Sequence, residues 1–384
     1  MCWLVPGGVV YDPAQYGDGY ASLISEYLLR GAGSMDSRAL SEAFDRLGAR
    51  RSVVADTFFQ RLSLTVAGEH FEKGLAIVMD LVRSPRFDSE ALESIQSLCL
   101  QELNGLEDDP SHLSLLRLDA IRLPAPFQRH GLGTEAHLLA ATTKDLREHF
   151  ARVTTPGGAI FAASGAVDHD AIVAFLSRKL EGFVGNTSVP ESQGEAIGGT
   201  TTLDRATSQT HLGMGFVAPV AADEEMVAFQ LAAGILGGGA SSRLFTEVRE
   251  RQGLAYSIGG RYEGGRSIGA FTISVGTTPE RVAKTIKAID SVLDGYPESI
   301  TDEEVTRIRT QIRSGALMQL EHGPARARRL ATDHFRLGAA RSMKSMLADY
   351  DAVDAGEVRA VASKWMGPEW RANATQSMVG PASA

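Results

Sequence analysis

Apolar positions along the chain follow two different periods. Residues 4–10 form a short apolar run, and in 58–66 (FFQRLSLTV) Leu62, Leu64 and Val66 alternate with polar neighbours. An uninterrupted apolar run suits a strand buried on both faces, and a period of two suits a strand with one buried face. Both stretches therefore predict strands. Residues 20–30, 38–47, 71–82, 89–106 and 144–153 instead repeat apolar side chains at intervals of three and four. That spacing lines up one stripe of a helix, and Gly48 supplies a stop after the second of them. A further helix is expected after Pro110, a strand of small residues over 157–163, and a helix over 168–180. Asp168-His169-Asp170 opens that last helix, so its first Asp reads as an N-cap rather than a metal ligand.

Residues 185–202 (GNTSVPESQGEAIGGTTT) are rich in Gly, Ser and Thr and carry no period, the character of a linker. After them the order restarts. A strand is expected over 211–217, helices over 226–236 and 243–251, strands over 255–262 and 270–275, then three or four helices to Trp365. The restart looks like an internal repeat. When 37–53 (SRALSEAFDRLGARRSV) is set on 242–258 (SRLFTEVRERQGLAYSI), Ser-Arg opens both, Glu42 meets Glu247, Gly48 meets Gly253 and Ser52 meets Ser257. A second pair, beginning at Pro85 and Pro297, follows in the same order, each with a long helix and then Pro110 or Pro324. The expected fold class is α+β: two similar domains, each a mostly antiparallel sheet packed by helices. Residues 1–184 form the first domain, 185–202 the linker and 203–384 the second domain.

Composition narrows the functions. Of 384 residues 43% are hydrophobic and 22% charged, and the net charge of −9 argues against a nucleic-acid partner. Cys2 and Cys99 are too few for a disulfide framework or a cysteine zinc site, and Cys99 falls on an apolar helical face. No apolar stretch is long enough for a membrane span, and the first residues lack the pattern of a secretory signal. The expected location is therefore cytoplasmic. His322, His334 and the other histidines show no ligand spacing. Gly237, Gly238 and Gly239 lack the Lys-Ser/Thr of a phosphate loop and join two helices. They read as a hinge or peptide-contacting loop, or as a plain helix–helix turn.

Residues 237–258, GGGASSRLFTEVRERQGLAYSI, closely resemble the second-domain signature of the pitrilysin/insulinase-type zinc peptidases, in their bacterial processing-peptidase branch. Weaker matching phrases at Gly48-Ala49, Pro85-Arg86-Phe87 and Gln101-Glu102-Leu103 extend the resemblance over nearly the whole chain. Members usually have further strands before the equivalent of Leu4. Active members carry an inverted motif, H-x-x-E-H, on the first domain's first helix. Histidines at i and i+4 share a zinc, the Glu between them handles the proton of the bound water, and a later Glu completes the site. Registering Glu26–Gly31 on the family's stretch puts Leu23 and Tyr27 in the histidine places, Glu26 in that of the base and Glu102 in that of the third ligand. No histidine precedes His70, so the resemblance implies a degenerate motif and no zinc in this chain. Glu26 then reads equally as a helix residue paired with Arg30.

The family also places an Arg and a Tyr, with six residues between them, across the substrate cavity; Arg249 and Tyr256 match them. A guanidinium and a phenol there bind the peptide backbone and stabilise the reacting carbonyl. Apart from the resemblance, the two read as a surface charge and a packed strand aromatic. The resemblance implies a non-catalytic subunit of a heterodimeric zinc endopeptidase, enclosing a peptide chamber, with the zinc in a homologous partner. The alternatives are a structural or assembly subunit derived from a peptidase, and a peptide-binding homodimer.

Overall fold

The computed structural model describes residues 1–13 and 19–381 and divides the chain into two compact α+β units. The first unit comprises Met1–Gly105, Ala125–Gly194 and Gln319–Thr332. Its first strand, β1 (Cys2–Pro6), is buried along its whole length, which is why its sequence is apolar without alternation. After a two-residue ribbon, β2 (Gly31–Ala32) with β3 (Met35–Asp36), come β4 (Arg50–Ala55), β5 (Phe59–Thr65) and β6 (Ile160–Ala162). The main sheet is antiparallel in the order β4-β5-β1-β6, with Trp3 opposite Leu62 on one side and Phe161 on the other.

Trp3, Val5, Leu62 and Leu64 meet the apolar stripes of the helices Tyr20–Leu28, Ser37–Asp45 and Phe71–Arg83 in one core. The helix ends follow the sequence signals. Asp168 accepts a hydrogen bond from the backbone N–H of Ala171 at 2.8 Å, as expected of an N-cap.

The second unit comprises Leu106–Pro124, Glu195–Met318 and Asp333–Ala384. Its strands are β7 (Thr200–Asp204), β8 (Thr210–Ala218), β9 (Ser257–Gly264), β10 (Gly269–Thr277) and β11 (Thr375–Gly380). They lie in the order β7-β11-β8-β10-β9, antiparallel except for the outer pair β7 and β11. Leu212, Met214 and Phe216 of β8 and Phe271, Ile273 and Val275 of β10 alternate onto the face that packs the helix Met226–Gly237. That helix is apolar on nearly all sides and buried. Phe229, Leu231, Ile235 and Leu236 are its large buried side chains, each contributing about 1.5–3 kcal/mol of transfer free energy. Trp370 stacks on Phe216 with ring centroids 4.0 Å apart and closes the core.

Two segments group across the division expected at 185–202. The helix Pro110–Arg122 follows the first unit's helices in sequence but lies on the second unit's sheet, against β11 and β8. Gly213 and Gly215 make room for it: a Cβ at either would lie 3.3 Å from a Leu118 methyl. The corresponding piece of the other half, Gln319–Thr332, belongs to the first unit. Each half of the repeat thus gives up the segment that follows its long helix. The linker is also partly ordered, since its last residues enter β7.

Candidate functional site

The helix Tyr20–Leu28 carries the positions expected to resemble a metal motif. Leu23 and Tyr27 point into the first unit's core, at 0% and 1% exposure. The Tyr27 ring lies 5.0 Å from that of Phe87, its hydroxyl meets the Thr143 hydroxyl at 3.1 Å, and burial raises its phenol pKa. The partly exposed residues beside them are Ser22 and Glu26, with Ser25 between. Ser22 Oγ donates to the Gly131 carbonyl at 2.6 Å, and Ser25 Oγ to the Ser22 carbonyl at 2.8 Å.

Side chains that share a metal at i, i+3 and i+4 must leave the core together. On this helix Ser22 and Glu26 are partly exposed at i and i+4, Ser25 between them is buried, and Leu23 and Tyr27 lie in the core, so Leu23 and Tyr27 do not face a solvent-side metal together with Glu26. The expected pairing of Glu26 with Arg30 is also absent, since no ion pair joins them. Glu102 lies on the helix Leu92–Gly105. The buried Cys99 thiol of the same helix has its pKa pushed up to about 12, first by burial and then by the charges of Glu26 and Glu102.

These residues do not fit zinc. Ser22, Ser25, Glu26 and Glu102 supply two hydroxyls and two carboxylates, oxygen donors without the imidazole nitrogens that hold zinc against water. Among the described residues no three His, Cys, Asp or Glu side chains gather as metal ligands.

The second unit builds Arg249 and Tyr256 into one exposed pair. Residues Phe245–Arg251 form a π-helical turn, wider than an α-helix and rare in proteins generally. Leu244 and Val248 fix the turn to the core. Arg243 secures its base: Nε and Nη2 fork onto Glu304 at 2.9 and 2.8 Å, and the guanidinium lies 5.2 Å from the Tyr296 ring. Burial of Glu304 is the largest single influence and works against its charge, but the hydrogen bonds from Arg243 and Thr301 together with the Arg243 charge outweigh it and hold the carboxyl below its ordinary range.

The Arg249 guanidinium stands 4.7 Å from the Phe245 ring centroid and 5.8 Å from that of Tyr256. Among the described residues it makes no ion pair or side-chain hydrogen bond, and the Tyr256 hydroxyl makes none. Tyr256 donates its backbone N–H to Gly276 at 2.8 Å, which anchors the residue just before β9, while its side chain is 74% exposed. The polar groups of both residues are therefore free for a ligand. Phe245, which sequence reasoning passed over, sits four residues before Arg249, a spacing that brings two side chains onto one helical face.

The glycines have a packing role at two of three positions. A Cβ on Gly237 would lie 2.4 Å from the backbone N of Gly260 in β9, and one on Gly238 would lie 2.8 Å from the Gly234 carbonyl oxygen. Gly239 faces open space. No described helix is long and apolar enough to cross a membrane.

Residues 140–312 match the family model described as Peptidase M16 inactive domain. An uncharacterized zinc protease of Mycobacterium tuberculosis is 28% identical over 90% of this chain and 80% of its own length. Another, from Bacillus subtilis, is 23% identical over 90% of this chain and 85% of its own. Among solved structures, a peptidase M16 inactive domain from Pseudomonas fluorescens superposes with a TM-score of 0.88 at 21% identity, covering 100% of this chain and 92% of that one. A protease from Helicobacter pylori gives 0.88 at 15% identity, over 99% and 93%.

Proposed function

Starting from a chain that is an M16 peptidase homologue, we propose that it is the non-catalytic subunit of a two-subunit zinc endopeptidase. In this reading it helps enclose a peptide chamber and supplies Arg249 and Tyr256 to a zinc site carried by a homologous partner. One observation carries the reading. Arg249 and Tyr256 stand together on the surface with unused donors and no role in holding the fold, whereas the zinc positions offer no nitrogen ligand.

Exposed guanidinium and phenol groups with free N–H and O–H donors are costly to conserve geometrically unless a ligand uses them. An extended peptide presents carbonyl oxygens for Arg249 to hold. The Tyr256 hydroxyl suits donation to the oxygen that gains charge as a peptide bond is attacked. The stacked Phe245 ring limits the conformations open to Arg249, so less entropy is lost when it binds. Among the described residues no metal-ligand cluster supplies the water activation that a zinc site performs, so the chain alone is expected to hydrolyse no peptide.

The test is reconstitution with a relative that retains H-x-x-E-H. Tyr256→Phe and Arg249→Ala should leave folding and pairing intact. Each should lower the turnover of the pair by about 10²–10³, the usual loss for a transition-state donor. An active pair indifferent to both substitutions would refute the reading and favour a structural or assembly subunit. A single species of this chain alone, unable to pair, would favour the peptide-binding homodimer.

A further inference from the structure

A polar cleft of about 490 Å³ opens in the second unit beside the π-helical turn and the helices Val282–Leu293 and Asp302–Leu320. Neither Arg249 nor Tyr256 lines it, so it is distinct from the exposed pair. Its lining holds three arginines and three carboxylates, but one of the carboxylates, Asp294, pairs with an arginine outside the lining. Glu304 is paired with Arg243, Glu247 with Arg251, and Asp294 with Arg371. Each wall carboxylate therefore has its own guanidinium. Arg307, the remaining arginine of the wall, has no carboxylate partner among the described residues. Its one hydrogen bond runs from Nη2 to the Ser241 carbonyl at 3.3 Å, and its enclosed Nε has no acceptor.

A guanidinium has five N–H donors, and a partly buried one that leaves most of them unused forfeits hydration without replacing it. An anion in the cleft would supply the acceptors and the counter-charge that Arg307 lacks. Neutral donors are at hand as well. The side chains of Ser241, Thr246 and Gln252 line the same space and make no hydrogen bonds within the described protein. A fork of guanidinium donors with hydroxyl and amide donors around it suits an oxyanion with several acceptor oxygens. The cleft is also larger than one such ion needs.

We propose that this cleft binds a phosphate-type oxyanion, with Arg307 as its main cationic contact. The proposal is independent of any partner subunit or peptidase activity. The phosphate can be free or the head group of a small phosphomonoester, and two probes separate these sources.

The full chain would be titrated by calorimetry with inorganic phosphate and, separately, with glycerol 3-phosphate, at ionic strength held constant with sodium chloride. Saturable binding at one site is expected, with a dissociation constant of about 1 mM or below for the better probe. Tighter binding of the ester identifies a phosphomonoester site, and equal binding identifies the free ion. Arg307→Ala should weaken binding about tenfold or more, the loss expected for charge-assisted hydrogen bonds. Arg307→Lys should fall between the two, because an ammonium keeps the charge but not the fork. Arg38→Ala, at an exposed arginine of the first unit, should change nothing. Circular dichroism of each variant checks the fold, and Arg307→Lys remains decisive if Arg307→Ala unfolds. No saturable binding of either probe, or binding unchanged by both Arg307 substitutions, would overturn the proposal.

Discussion

Replacing Gly237 by Ala separates a packing role for the triple glycine from a ligand-contacting one. The added Cβ would lie 2.4 Å from the backbone N of Gly260 and 2.5 Å from its Cα, and neither can swing aside as a flexible side-chain end would. The helix Met226–Gly237 must therefore move off β9, or β9 must bend. Overpacking of this kind costs about 1–3 kcal/mol. Alanine's better helix propensity returns at most about 1 kcal/mol, because Gly237 is the last residue of the helix. The net expectation is a loss of about 1–2 kcal/mol. For a unit of this size that lowers the midpoint of thermal unfolding by about 2–8 °C. Trp365 and Trp370 lie in the second unit and Trp3 in the first, so the measurement is made in a Trp3→Phe background, where tryptophan emission follows the second unit even if the first melts separately. Gly239→Ala is the matched control, since its Cβ would meet nothing within 4 Å, and its change should stay within about 0.5 kcal/mol. If Gly237→Ala proves as stable as Gly239→Ala, the close approach of helix and strand does not constrain residue 237.

Two further predictions concern acid stability. Burial first, and then the charge of Arg152, lowers the His149 pKa from 6.5 to about 4. Between those values the unfolded chain binds the proton that the folded chain refuses, so this group's contribution to stability falls as pH drops from about 6.5 and levels off below about 4. The whole effect is on the order of 3 kcal/mol, and urea unfolding of His149→Gln should show a flatter dependence on pH across that window. Glu304→Gln should cost about 1–3 kcal/mol near neutrality, because the Arg243 fork loses its charged acceptor. The folded pKa of Glu304 is depressed, so its stabilisation is full above the ordinary carboxylate pKa and fades as pH falls through the folded value. The variant should lack that acid slope, and an unchanged slope would assign it to another group.

The elements most legible in the sequence were those with a strong period. The helices expected over 71–82 and 144–153 appear at Phe71–Arg83 and Thr143–Val153, and the alternation around Leu62 and Leu64 became β5. Elements that depend on a distant partner were not legible. β11 (TQSMVG) has a mixed pattern and becomes a strand by pairing with β7 and β8, one of which begins inside the apparent linker. The crossing of Pro110–Arg122 to the second unit was hidden for a similar reason. Its receptor is a face cleared by Gly213 and Gly215, about a hundred residues later in sequence. Proline and glycine spacing placed the helix but not the sheet on which it lies.

The degenerate metal motif shows why residue identity and residue direction must be read together. Sequence matching favoured the register that kept Glu26 as a base, because a glutamate at that point of the pattern looked informative. Burial decides otherwise, since a side chain at 0% exposure in the core, such as Leu23, cannot share a solvent-side ligand with Glu26. A register one residue earlier, on Ser22, Ser25 and Glu26, would put a serine in the base's place and still supply no histidine. The chemical inference becomes stronger, because it no longer depends on which residue is aligned with which: neither face of the helix offers an imidazole. Arg249 and Tyr256 went the other way. Their spacing alone allowed a packed aromatic and a paired surface charge, but the structure leaves Tyr256 exposed and, among the described residues, Arg249 without a carboxylate. The Phe245 and Tyr256 rings lie beside that guanidinium. What selection would have to maintain at this turn is therefore an accessible donor pair on a firmly anchored base, and the Arg243–Glu304 fork beneath it explains how so exposed a pair keeps its geometry.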